Sequence, residues 1–299
     1  MTDDPRNADG IGKKELLAVS FGTSFNDSRA RDIKGIEDAL EKAFPEWSVR
    51  RAFTSGMILK HILRRDGTVI DNVEEALERA VANGVEYLVL QPTHLVNGHE
   101  YDKVTSTIDK YSGHFKAVAI AKPLLGEASE DPKAVNADKE AVAKAIVSRM
   151  VSLDGYKDLK EAEEDKTAYV LMGHGTYHEA KIAYTQMQAQ IEALGFGNVF
   201  IGTVEGDPEG TDCDDSIKAA SEAGYKKIVL RPLMVVAGDH ANNDMADKED
   251  PDSWISRFIS SGRFEEVKAQ VEGLGCLKDI QSIYVQHAKA AMDSIYGNE

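Results

Sequence analysis

The 299-residue chain is 42% hydrophobic and carries 51 acidic against 35 basic side chains, a net charge of −16. That is enough apolar material for one large or two ordinary folded domains, and the negative surface disfavours nucleic acid and anionic membranes while attracting metal cations. No apolar run approaches the ~20 residues of a membrane-spanning helix, and Cys213 and Cys276 form neither a CxxC motif nor a disulfide framework, so both are expected as small buried residues.

Residues 1–14, MTDDPRNADGIGKK, are a polar leader expected to be disordered. From Glu15 the chain alternates strand and helix. ELLAVSFGTS is an apolar run ending near Gly22, the pattern of a strand in a buried parallel sheet. A helix over 27–44 follows, with Asp27 or Ser28 as N-cap. VRRAFTSG is the next strand, Met57 to Arg65 the next helix, and Val73 to Ala82 another. VEYLVLQPTHLVNG and FKAVAIAKPLLG complete the set. An amphipathic helix is expected from Asp138 to Val151, followed by a charged, solvated run.

TAYVLMGHG, NVFIGTVEG, YKKIVLRPLMVVAGD and AQVEGLG then repeat the order of the first half. Gly173 falls on Gly22, Pro232 on Pro92, Gly238 on Gly98 and Gly275 on Gly126, at nearly constant offsets. Matches in this order predict a duplicated α/β fold. An N-terminal lobe over 15–160, including the interlobe helix, and a C-terminal lobe over 161–299 are each expected to be a parallel sheet flanked by helices, the two facing each other across a cleft. Ligands of such sheets bind beyond the carboxyl ends of the strands.

Three side chains suited to a metal follow successive strands of the second lobe: His174 in LMGHGTYHEA, Glu205 in TVEGDPEG and His240 in VVAGDHANNDMAD. Two imidazoles and a carboxylate make an open site for a divalent transition metal. Imidazole, with a pKa of about 6.5, also exchanges protons near neutrality. Each residue alone is more often a surface or capping residue; the three together at one sheet edge, each close to a glycine, raise the metal reading. His178 suits a helix face better than a fourth ligand. In the first lobe Thr23 takes the place of His174 and Ser55 lies near that of Glu205, so the full metal set is lacking there. Backbone amides with Thr23, Ser24, Thr54 and Ser55 either hold carboxylates of a ligand or make ordinary loop caps. Arg51, Lys60 and Arg231 are candidate cations for the same purpose, and His94 and His99 occupy the third loop.

VSFGTS, RAFTSGM, MGHG, the glutamate after the next strand, and PLMVVAGDHANNDMA followed by DSWISRF closely resemble the anaerobic sirohydrochlorin cobaltochelatases. These are class II chelatases of the ferrochelatase-like, two-lobed fold, and the resemblance covers nearly the whole chain after the leader. It implies ATP-independent insertion of Co²⁺ into sirohydrochlorin on the route to cobalamin, and the chain lacks a GxxxxGK[ST] phosphate loop. By motif it makes His174 and His240 the metal and catalytic histidines, with Glu205 the third member. His174 is expected as general base, with His240 and Glu205 holding Co²⁺. Fe²⁺ insertion for sirohaem and a non-catalytic tetrapyrrole or metal carrier are the alternatives. Some relatives bind haem at a subunit contact, where His94 is the candidate ligand. Some are exported, so the expected soluble homo-oligomer belongs either to the cytoplasm or, after removal of a signal peptide, to the periplasm.

Overall fold

Ten parallel-paired strands organise the chain, and residues 1–296 are described by a computed structural model. The first half contains β1 (Thr2–Asp3), β2 (Lys14–Ser20), β3 (Ser48–Phe53), β4 (Thr68–Val69), β5 (Tyr87–Pro92) and β6 (Ala117–Ile120). The second contains β7 (Thr167–Gly173), β8 (Val199–Thr203), β9 (Lys227–Pro232) and β10 (Glu266–Ala269). Two four-stranded sheets result, ordered β3-β2-β5-β6 and β10-β9-β7-β8. Read from its other edge the second is β8-β7-β9-β10, the same order of corresponding strands. All pairs within both sheets are parallel.

The central strands β2 and β7 are buried on both faces, from Glu15 to Ser20 and from Thr167 to Gly173. Such strands read as unbroken apolar runs because helices cover both sides of the sheet. In the first sheet the helix Val73–Ala82 buries Val73, Ala76, Leu77 and Ala80, one face at helical spacing, in the core with Leu17, Val19, Leu88 and Leu90. Its start is set by a capping box between Asn72 and Glu75. In the second, Trp254, Ile255 and Phe258 pack into the core with Val170, Met172, Ile228 and Leu230.

The chain divides into two compact units, one comprising Met1–Glu127 with the chain from Ile280 onward, the other Ala128–Asp279. Both edges differ from the expected boundary at 160. The helix Ala137–Asp154 belongs to the second unit and buries Val142, Ala143, Ala145, Ile146, Met150 and Val151, which is more than a single amphipathic stripe. The last helix, Lys278–Tyr296, returns to the first unit, where the Tyr284 hydroxyl donates to the Thr93 carbonyl at 3.0 Å. The helix expected over 27–44 starts at Asn26 after Phe25, passes through a π-helical stretch at Arg29–Ile33 and ends at Ala43. Neither Asp27 nor Ser28 caps it. The charged run after the long helix contains a short helix, Leu159–Glu164, capped by Asp158.

The leader is ordered rather than disordered. Arg50 and Arg51 are adjacent on β3, so their side chains leave opposite faces of the sheet, and both are buried. Arg50 pairs with Glu15 at 3.2 Å and Asp71 at 3.1 Å. Arg51 holds Glu37 through two hydrogen bonds, 2.7 and 2.6 Å, and Asp4 of the leader at 2.9 Å. Arg6 adds a contact to Glu37 at 3.2 Å, and β1 pairs with β4. A polar segment is fixed here because a buried guanidinium needs its carboxylates.

Candidate metal site

The carboxyl edge of the second sheet is built from three clipped loops. Beyond the ends of β7 and β8 the ladder continues, with Val204 N–H donating to the Gly173 carbonyl and Glu205 N–H to the His174 carbonyl, both at 3.0 Å. On the other side Leu233 N–H donates to the Met172 carbonyl at 2.8 Å. His174 therefore sits on a loop tied to its neighbours. Gly175 has φ +86°, and a Cβ there would lie 2.9 Å from the Asp207 carbonyl oxygen and 3.1 Å from Glu205 Cβ, so only glycine fits this turn. Its N–H donates to the Tyr184 hydroxyl at 3.3 Å, whose own pKa is raised by burial.

The ring centroids of His174 and His240 are 4.6 Å apart, edge to face. His174 Nδ1 lies 2.8 Å from the Gly175 carbonyl oxygen, and His240 Nδ1 lies 2.5 Å from Asp244 Oδ2. Both partners are acceptors, so in the neutral rings Nδ1 carries the proton and Nε2 keeps its lone pair. His174 is exposed and His240 half-buried. The GDHANNDMA loop is held by its own side chains: Asn242 Nδ2 donates to the carbonyls of Ala237 (3.2 Å) and Gly238 (2.7 Å), and Asn243 Nδ2 to Asp239 Oδ1 (2.7 Å).

Glu205 is joined to His174 through its backbone, and its side chain is exposed. Among the described residues no three His, Cys, Asp or Glu side chains form a ready metal-holding group. The two histidines are brought together; the carboxylate is placed on the adjoining loop without completing a cage. His178 is not on a helix face: its Nδ1 accepts from Ala180 N–H at 3.0 Å, capping a short turn at Glu179–Lys181. A groove of about 860 Å³ lined by Val147, Tyr156, Leu159 and Phe196 contains none of these residues.

In the first unit the corresponding loops are clipped in the same way. Thr54 N–H donates to the Ser20 carbonyl at 2.9 Å and Ser55 N–H to the Phe21 carbonyl at 3.2 Å. Ser55 thus corresponds to Glu205, as expected, but His174 corresponds to Phe21 and not to Thr23. Gly22, with φ +96°, matches Gly175 rather than Gly173. Thr23 is buried, and its Oγ1 accepts from Phe25 N–H at 3.1 Å. Ser24 is half-buried in the same loop. Thr54 is buried with its hydroxyl unpartnered, and Ser55 Oγ caps the helix Gly56–Asp66 at 3.4 Å from Ile58 N. These are largely loop and cap roles.

Of the expected cations, Arg51 is committed to Glu37 and Asp4 and presents no free edge to a ligand. Arg231 is fully buried, donates to Gln270 Oε1 at 3.1 Å and Glu272 Oε2 at 3.3 Å, and has its pKa lowered by burial. Lys60 is exposed. His94 has both ring nitrogens buried without a hydrogen-bond partner, as are Asn97 Oδ1 and Glu100 Oε2. Burial pushes the His94 imidazole down to about 4, opposed by the charge of Glu100. In this geometry His94 offers no accessible nitrogen to haem iron, and the residues do not fit that group. Cys213 is buried and its thiol pushed up to about 12 by burial, whereas Cys276 is half-buried.

Asp244, Tyr184 and Glu100 are not among the residues that the sequence singles out. The i, i+4 spacing of His240 and Asp244 was visible in the motif. Glu100 lies in the first turn of the helix His99–Tyr111, which follows the loop after β5; that loop matches the one before His240 after β9, since the His94 and Met234 carbonyls accept from Leu124 and Leu274 N–H, each at 2.9 Å.

Residues 14–293 match the family model described as cobalt chelatase (CbiK). The chain belongs to the cobalt chelatase family. It is 34% identical over 281 residues to the sirohydrochlorin cobaltochelatase of Salmonella typhimurium, covering 94% of this chain and 97% of that one. It is 27% identical to the sirohydrochlorin cobaltochelatase CbiKC of Nitratidesulfovibrio vulgaris, covering 95% and 92%. The fold is also that of SirB from Bacillus subtilis with Fe³⁺, at TM-score 0.61 and 15% identity over 95% of this chain and 97% of that one. This cobalt chelatase has no helix, among the described residues, long and apolar enough to cross a membrane.

Proposed function

We propose that this cobaltochelatase inserts Co²⁺ into sirohydrochlorin, without ATP, through His174 and His240. The observation that carries the site assignment is the edge-to-face contact of the two rings, 4.6 Å between centroids, with both Nδ1 atoms engaged. Two lone pairs at Nε2 are thereby left for a cation.

Co²⁺ enters as the hydrated substrate ion, and Glu205, Asp207, Asp239 and Asp244 on the same loops make the approach acidic. Imidazole nitrogens replace part of its water while leaving coordination positions open for the ring nitrogens of the tetrapyrrole. Metallation also requires the two pyrrole N–H protons to leave. As the ion passes to the ring nitrogens, the Nε2 lone pair of His174, the more exposed ring, is released to accept one proton and the Glu205 carboxylate is placed to take the other, while His240 holds the ion at the same sheet edge until transfer.

The test mixes protein, sirohydrochlorin and Co²⁺ and follows the change in the tetrapyrrole absorbance. The wild-type chain accelerates metallation over the protein-free reaction, and His174→Ala and His240→Ala each lose about 100-fold or more. Wild-type turnover by both variants removes the site assignment. Tight tetrapyrrole binding without acceleration identifies a carrier instead.

A further inference from the structure

Asp244 is a neighbour of His240 that no metal-ligand pattern requires, and it is held with unusual care. The segment Ala241–Met245 is a π-helical turn. Such wide turns are rare and concentrate at functional sites. Ala241 and Met245 are fully buried and anchor the turn in the core. His240 and Asp244, one residue earlier on each row, are left partly exposed side by side, at 37% and 42% of their side-chain surface. Asn242 and Asn243 bond to the backbone or side chains at 237–239, so the loop ahead of His240 is closed as well.

We infer that Asp244 is the positioning residue of the metal site, fixing His240 as the Nδ1–H tautomer with Nε2 turned out as the ligand atom. This rests on the proposal that His240 holds Co²⁺. The two histidines are not equivalent in this respect. His174 is fixed by a neutral backbone carbonyl belonging to the next residue, which no substitution removes, whereas His240 depends on one side-chain carboxylate. A metal-bound imidazole whose second nitrogen donates to a carboxylate is better oriented and a stronger donor, and loss of such a partner typically weakens metal binding or activity 10–100-fold. An ordinary surface pair at i, i+4 contributes little to stability and nothing to metal binding. The two readings therefore separate on function.

The first measurement needs no variant. Nitrogen-15 NMR of the metal-free wild-type chain at neutral pH shows His240 protonated at Nδ1; protonation at Nε2 instead overturns the inference. Steady-state metallation with Co²⁺ varied then compares three chains. Asp244→Ala raises the KM for Co²⁺ by about 10–100-fold with the KM for sirohydrochlorin unchanged. Asp244→Asn, which keeps an oxygen acceptor in the same volume, recovers most of that loss. In the Co²⁺-loaded protein a paramagnetically shifted, exchangeable His240 ring N–H is present in wild type and Asp244→Asn and is lost in Asp244→Ala. A wild-type KM for Co²⁺ in Asp244→Ala, alongside an inactive His240→Ala, overturns the positioning role alone. A fully active His240→Ala overturns the site assignment beneath it.

Discussion

Phe21 and His174 occupy the same place in two copies of one fold. Each follows the central strand of its sheet, and each gives its carbonyl to the loop of the neighbouring strand, from Ser55 N–H at 3.2 Å and Glu205 N–H at 3.0 Å. One copy carries an imidazole there and the other Phe21, which is 51% exposed. Met57, 82% exposed, follows the adjacent strand β3. Large apolar side chains left in water at the carboxyl edge of the sheet suit a flat macrocycle. Phe21→Ser is expected to raise the KM for sirohydrochlorin about 2–10-fold, the worth of one aromatic contact, and to leave the KM for Co²⁺ unchanged. Steady-state kinetics with each substrate varied in turn checks this; an effect confined to Co²⁺ contradicts it.

Gly175→Ala should damage activity more than stability. The left-handed conformation costs an L-residue about 1–2 kcal/mol, and the added Cβ meets the Asp207 carbonyl at 2.9 Å and Glu205 Cβ at 3.1 Å. Relief pushes the Glu205 loop away from His174. Urea unfolding and metallation rates measured on the same preparation separate the two losses.

Arg51 is expected to matter for folding and not for substrate. Arg51→Gln leaves Glu37 and Asp4 buried with half their partners gone, a loss of about 3–5 kcal/mol. At a temperature where the variant remains folded, its KM for sirohydrochlorin should equal the wild-type value. A selective rise in that KM would restore Arg51 as a substrate contact.

Two buried groups should oppose one another in the pH dependence of stability. Burial raises the Glu15 carboxyl from 4.5 to about 7, against the pull of Arg50. The folded state then holds a proton that the unfolded state releases, so this contribution is present below pH 4.5 and is lost as pH rises through 7. Burial lowers the His94 imidazole from 6.5 to about 4. The folded state refuses a proton that the unfolded state takes up, so this contribution is present above pH 6.5 and is lost as pH falls through 4. Each amounts to about 3 kcal/mol. Wild-type stability should therefore be nearly flat from pH 4.5 to 6.5, while Glu15→Gln gains stability with rising pH and His94→Phe loses it. Parallel slopes in all three chains would show that neither group titrates as described.

Much of the architecture was legible in the residues because local chemistry dictated it. Unbroken apolar runs marked β2, β5, β7 and β9, and a helix was legible near Val73 to Ala82, which the capping box of Asn72 with Glu75 starts in the structure. The repeat of strand and loop gave the duplication, and the loops following β7, β8 and β9 gave His174, Glu205 and His240. Aligning Gly22 with Gly173 put Thr23 in the place of His174, but the second loop has two glycines, Gly173 and Gly175, against one in the first, and only the ladder hydrogen bonds fix Gly22 on Gly175 and Phe21 on His174.

What the sequence by itself determined was which side chains stand at which strand ends, since that follows from periodicity along the chain. The tertiary structure alone decided which of them meet. It brought His174 to His240, gave each Nδ1 an acceptor, and left Glu205 on the adjoining loop. It also took Arg51 and Arg231 out of solvent and ordered a polar leader around a buried guanidinium. A charged side chain has the same appearance in the sequence whether it faces water, a ligand or an opposite charge. Only the packing around it sets the desolvation that makes a partner obligatory.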